Sequence, residues 1–232
     1  MKIYAISDLH ISTNTDKPMD VFGGNWQGYL EKIFNDWKEK VTDEDLVLIG
    51  GDISWAMTLA DAEQDLKLLE GLKGKKILVK GNHDYWWNTI SKVREILPEN
   101  TFALQNDCVK FGDVIICGSR CWAVPGAPDF DKRDEKIYLR EGERLKLSFN
   151  SVNKIRKDGD KVIALVHYPP FNVKRESSIF TNIFEENKIN AVVYGHLHGK
   201  SVRSDKLVVK NGIKYYLTSC DQVENKLQEI IL

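Results

Sequence analysis

Short apolar runs punctuate this chain, and amphipathic stretches separate them. KIYAIS at 2–7, DLVLIG at 45–50, KKILVK at 75–80, KVIALV at 161–166 and AVVY at 191–194 are rich in β-branched residues and too short for buried helices. Each predicts a buried strand. Between them, Trp26, Leu30, Ile33, Phe34 and Trp37 recur near helical spacing over 26–40, and Leu59, Ala62, Leu66 and Leu69 do so over 59–72. Alternating strand and helix predicts crossover connections and a partly parallel sheet. Beyond residue 206 the pattern changes. LVVK at 207–210 and IKYYLTSC at 213–220 flank Asn211-Gly212, the signature of a tight hairpin turn. VKFGDVIICG at 109–118 predicts a second hairpin, turning at Gly112-Asp113. Crossovers and hairpins together predict an α+β chain of two sheets packed face to face, with helices outside. Residues 119–150, rich in charge and carrying Pro125 and Pro128, predict a long loop running into a helix near 131–157.

No repeat, low-complexity tract or linker divides the chain. Its 232 residues, 42% of them hydrophobic, can bury one sizeable core, so 1–232 reads as a single domain. The 33 basic and 34 acidic residues nearly cancel, which gives no sign of a nucleic-acid patch. No apolar run approaches the ~20 residues that span a bilayer, so no membrane partner is expected. MKIYAISDLH lacks the pattern of a secretory signal. Cys108, Cys117, Cys121 and Cys220 form no C-x-x-C pair. They read as free thiols in a reducing compartment, and the cytoplasm is the expected location.

The residues that end the strands change the picture most. Asp8-Leu9-His10 follows the first run, Gly51-Asp52 the second, Gly81-Asn82-His83-Asp84 the third, His167 the fourth and Gly195-His196-Leu197-His198 the fifth. Ligand sites in strand–crossover folds gather at the carboxyl ends of strands, and all five histidines of the chain lie at such ends. In an extended segment residues i and i+2 point the same way, so Asp8 and His10 are expected to reach one cation while Leu9 enters the core. His196 and His198 share that spacing, though a turn can aim them at two cations. Imidazole, carboxylate and one amide oxygen, with no thiolate, suit Mn, Fe, Zn, Co or Ni. Seven candidate ligands are too many for one ion, and two ions sharing a carboxylate are expected. Gly51, Gly81 and Gly195 each precede a ligand, where a tight turn or close approach favours glycine.

This ordered set, D-x-H, G-D, G-N-H-D, H and G-H-x-H over residues 8–198, resembles the calcineurin-like metallophosphoesterases. The resemblance implies a four-layer α/β/β/α sandwich of two mixed β-sheets flanked by helices. It implies two divalent metal ions, one held by Asp8, His10, Asp52 and His198, the other by Asp52, Asn82, His167 and His196. It further implies hydrolysis of a phosphate ester by hydroxide bridging the metals, with Asn82 steadying phosphoryl charge, His83 as general acid and Asp84 holding the other ring nitrogen of His83. A phosphodiester or small nucleotide-like substrate fits best. A protein phosphatase, a nuclease and a non-catalytic metal-binding scaffold of the same fold are the alternatives.

Trp55, Tyr85, Trp86, Trp87 and Tyr168 lie near the motifs in sequence. They can stack on a nucleobase or an aryl group, or pack into the core beneath the loops. Residues 119–150 are a candidate cover for the site. Arg120, Arg133 and Arg140 can there meet a phosphate or face solvent, and Lys80 directly precedes the G-N-H-D motif.

Overall fold

Along β1 (Ile3–Ile6), Ile3 and Ala5 enter one apolar core while Tyr4 and Ile6 enter another. Burial of both faces explains why the strand runs are continuously apolar rather than alternating. The computed structural model in which this is seen describes residues 1–13, 17, 19–199, 202 and 204–232.

β1 pairs in parallel with β2 (Leu46–Ile49), β2 with β3 (Lys75–Val79), and β3 with β4 (Thr101–Leu104). β11 (Gln228–Glu229) closes the other edge of this sheet, antiparallel to β1. In the second sheet, β6 (Val114–Ser119), β7 (Lys161–Val166), β8 (Ala191–Tyr194) and β10 (Ile213–Leu217) run parallel. Hairpin partners β5 (Cys108–Phe111) and β9 (Leu207–Lys210) flank them antiparallel. Both hairpins turn where the sequence placed them. Asn211 and Gly212 have φ of 51° and 80°, as a tight two-residue turn between twisted strands requires.

Three cores define four layers. Ile3, Ala5, Leu48 and Ile77 of the first sheet meet Ile116, Ile163, Leu165 and Val193 of the second. The outer face of the first sheet is covered by α1 (Tyr29–Lys40), α2 (Leu59–Leu66) and α3 (Ile90–Glu95), through Ile33, Trp37, Leu66 and Val93. The outer face of the second is covered by α4 (Asp134–Ile155) and α5 (Ile179–Glu186), through Leu145, Phe149, Phe180 and Phe184. The molecule is the expected α/β/β/α sandwich of two mixed sheets.

Three expectations need correction in detail. The helix expected from residue 26 starts at Tyr29, because Gly28 sits in the left-handed region at φ 62° and breaks the register; Trp26 ends a separate 3-10 turn. The helix expected over 59–72 leaves the α form after Leu66 and tightens into a 3-10 turn over Lys67–Leu69. The stretch expected as a candidate cover is narrower than 119–150, since the residues from Asp134 onward build α4, whose apolar face is fixed against the second sheet. Among the described residues, no helix is long and apolar enough to cross a membrane.

Candidate metal centre

The parallel strands deliver their carboxyl ends to one edge, where the two sheets meet. β1, β2 and β3 of the first sheet lead into Asp8 and His10, Asp52, and Asn82 with His83. β7 and β8 of the second lead into His167, and into His196 with His198. Asp8, His10, Asp52 and His167 are fully buried and form the floor. Asn82, His83, His196 and His198 are half-buried and form the rim.

Asp8 and His10 do converge with His198, their ligand atoms lying within 4.8 Å of one another. The route is not the extended one. Asp8 and His10 adopt left-handed φ of 60° and 44°, while Ile11 bridges to Ser54 and Leu9 is fully buried in the core. Asp52 and His196 are left-handed too, at φ 50° and 69°. Such backbone costs a non-glycine residue energy and persists where surrounding structure enforces it, often at functional sites. Here hydrogen bonds enforce it. His10 N–H donates to the Asp52 carbonyl at 2.9 Å, and His196 N–H donates to the Asp8 carboxylate at 3.0 Å.

His196 and His198 face different sides of the site. His198 joins Asp8 and His10. His196 Nδ1 lies 3.0 Å from Asn82 Oδ1 and 3.3 Å from His167 Nε2, and the latter two are 2.7 Å apart. Asp52 Oδ2 stands between the groups, 3.7 Å from His10 Nε2 and 3.5 Å from His167 Nε2. His167 Nδ1 donates to the Gly50 carbonyl at 2.8 Å, so its Nε2 turns a lone pair inward. Gly81 and Gly195 make room: a Cβ on Gly81 would collide with the Asp52 carboxylate, and one on Gly195 would come within 2.7 Å of Asp8 Oδ2.

Electrostatically the centre lacks positive charge. Burial raises Asp8 well above the usual carboxylate range and pushes Asp52 up to about 6. Burial lowers His10 strongly, His167 to about 3 and His196 to about 2, so these imidazoles are neutral. Both ring nitrogens of His10 and Oδ2 of Asp52 are buried without a hydrogen-bond partner. Unpaired buried acceptors are costly in an apolar interior, and divalent cations bound by this nitrogen and oxygen set remove that cost. The donor set therefore fits metal ions.

His83 lies at the rim, its ring centroid 5.7 Å from that of His10 and 4.6 Å from that of Trp55. Asp84 does not hold it. Asp84 Oδ2 accepts from Gly81 N–H at 2.7 Å, and Oδ1 accepts from Ile53 N–H, Ser54 N–H and the Trp86 indole at 2.9, 3.2 and 3.1 Å. The group beside His83 Nδ1 is the Tyr85 hydroxyl, at 3.4 Å. Adjacent residues in this turn diverge, and the buried carboxylate fastens the two ligand loops together.

Tyr29 supports the site without any motif around it in the sequence. From α1 its hydroxyl donates to the Leu9 and His10 carbonyls at 2.8 and 3.0 Å. The aromatic residues near the motifs are mostly packing: Trp86 and Trp87 are buried, Trp55 stacks on His10 at 4.7 Å, and Tyr168 lies 4.1 Å from His196. Tyr85 alone of the five is exposed. Arg133 pairs with Asp131 at the surface, while Arg120 and Arg140 gather around the buried Glu141.

A two-sheet sandwich with histidines and carboxylates at one strand edge places the molecule among metal-dependent phosphoesterases. The chain belongs to the calcineurin-like phosphoesterase family, whose sequence profile matches residues 1–200. It is 26% identical over 203 residues to a probable cyclic nucleotide phosphodiesterase of Ruthia magnifica subsp. Calyptogena magnifica, covering 83% of this chain and 76% of that protein. It is 24% identical over 213 residues to an uncharacterized metallophosphoesterase of Helicobacter pylori, covering 90% of this chain but only 48% of that longer protein. Two solved structures share the fold. One, from Thermus thermophilus, has a TM-score of 0.63 at 11% identity, over 98% of this chain and 97% of that one. The other, a protein of unknown function from Aquifex aeolicus, has a TM-score of 0.53 at 16% identity, over 98% and 95%.

Proposed function

We propose that the protein is a two-metal phosphohydrolase acting on a phosphodiester or a small nucleotide-like phosphate ester. The observation that carries this reading is a buried, unpaired pair of donor groups, the imidazole of His10 and Oδ2 of Asp52, ringed by neutral histidines. Asp8, His10, Asp52 and His198 would hold one divalent cation; Asp52, Asn82, His167 and His196 would hold the other. Bound there, the ions would supply Lewis-acid polarisation of the phosphoryl oxygens and a water acidified to a nucleophile near neutral pH.

The chain supplies the rest. With Oδ1 of Asn82 turned to His167 and His196, its Nδ2 is left to donate to a phosphoryl oxygen as charge builds. His83, half-buried at the rim, gives a proton to the departing alkoxide, a step typically worth about 10²–10⁴-fold. Asp84 acts at one remove, fixing the turn that presents both residues. The similarity to a probable cyclic nucleotide phosphodiesterase supports a diester over a monoester.

Protein reconstituted separately with Mn, Fe, Zn, Co and Ni should hydrolyse bis-p-nitrophenyl phosphate faster than p-nitrophenyl phosphate. His83→Ala should lower turnover by about 10²–10⁴-fold with metal content unchanged. Silence with all five metals would make the chain a binding scaffold. Loss of metal from the His83 variant would remove its role as proton donor.

A further inference from the structure

A cavity of about 860 Å³ opens directly beside the metal centre. His196 forms part of its wall, and so does Tyr168, the ring packed on His196. That volume lies within the range of small-molecule sites, roughly 300–1,000 Å³. Val124, Ala127, Pro128, Phe171, Leu197 and Val208 are among the residues that line the rest. The cavity is thus continuous with the catalytic edge and apolar beyond it.

Its polar side chains are largely engaged with one another. Arg175 pairs with Asp205. The Asn172 amide donates to the Pro125 carbonyl at 3.1 Å and to Glu176 at 2.6 Å, and its oxygen accepts from the N–H groups of Lys174 and Glu176. Besides these, the wall carries the exposed Asp129 carboxylate and the half-buried Ser204 hydroxyl. Reading a nucleobase edge takes several convergent donors and acceptors, which the lining lacks among the described residues. An unbranched hydrocarbon asks for none.

We propose that this cavity is a substrate subsite, and that the physiological phosphoester carries an alkyl or acyl chain seated between the 123–128 loop and β9. This rests on the phosphohydrolase reading and narrows its substrate class away from nucleotides. His83 stands on the other flank of the centre, against His10 and Trp55. The chain therefore belongs to the group that stays on phosphorus, and the leaving oxygen faces His83. Water adds to phosphorus, the P–O bond to the leaving group breaks, and the alkyl phosphate remains.

A series of p-nitrophenyl alkyl phosphates, methyl to octyl, tests this on the metal-loaded protein. kcat/KM should rise by about two- to fourfold per methylene until the cavity fills. It should exceed the value for a nucleoside p-nitrophenyl phosphate. Ala127→Trp, at a half-buried loop position, should flatten the series, bringing kcat/KM for the octyl ester down toward that for the methyl ester. A flat series in the unmodified protein, or preference for the nucleoside ester, overturns the subsite while leaving hydrolysis in place. Calorimetry with octylphosphonate and methylphosphonate reads the cavity without turnover. If no ester is cleaved, tighter binding of the octyl compound keeps the subsite and discards the hydrolase; equal binding discards both.

Discussion

At the scale of single residues, Asp84 shows how a motif letter can be right in kind and mistaken in role. Its carboxylate takes N–H donors from Gly81, Ile53, Ser54 and the Trp86 indole. Burial and the neighbouring Asp52 charge push its pKa up to about 7 despite these bonds. Asp84→Asn turns an NH₂ toward those donors and leaves at least one unpaired. The protein should lose about 1–3 kcal/mol in urea denaturation, with or without metal. Unchanged stability with turnover alone reduced would return Asp84 to a dyad with His83. Every candidate ligand was legible as a letter, because Asp, His and Asn after apolar runs stand out. The left-handed backbone of Asp8, His10, Asp52 and His196 was not. It is imposed by hydrogen bonds from segments far away in sequence, as is the anchoring of His10 by Tyr29.

At the scale of elements, length decided what could be read. The buried strands are uniformly apolar and stood out within a residue or two. α3 has six residues and β11 two, too few for a period to emerge. α5, with eight, carries one local signal: Ser178 caps its start, accepting from the Phe180 and Thr181 N–H groups. α4 was legible because 22 residues give its apolar stripe time to repeat. Its fully buried Leu145 lies in the core it shares with α5 and the second sheet. Leu145→Ala should destabilise the fold by about 2–5 kcal/mol. Metal stoichiometry should hold under native conditions, since no candidate ligand comes from α4. Loss of metal without loss of stability would show that α4 acts on the site directly.

At the scale of the whole molecule, the centre behaves as a buried, electron-rich seam between two sheets. Protons and cations compete for it, and the pKa shifts say where the protons sit. His167 and His196 are neutral down to about 3 and 2, so they offer little competition. Asp52, raised to about 6, and Asp8, raised by burial well above the usual carboxylate range, do compete. Below about pH 6 metal binding must displace the one proton of Asp52, so affinity should fall by up to about tenfold per pH unit. Dialysis at about pH 5 should strip metal that survives dialysis at about pH 7.5. Retention that improves on acidification would reject the carboxylates as ligands. The N–H of His196 meets the carboxylate of Asp8 across 188 positions of sequence. Contacts of that span form late, because the loop they close is long and little rewards it beforehand. Partial chains carrying Asp8, His10, Asp52 and Asn82 thus hold half a cage. Were metal to enter only after folding, the ion acquired would be chosen by a finished geometry, and a chain ending before His167 should bind metal far more weakly than the whole chain in an equilibrium titration.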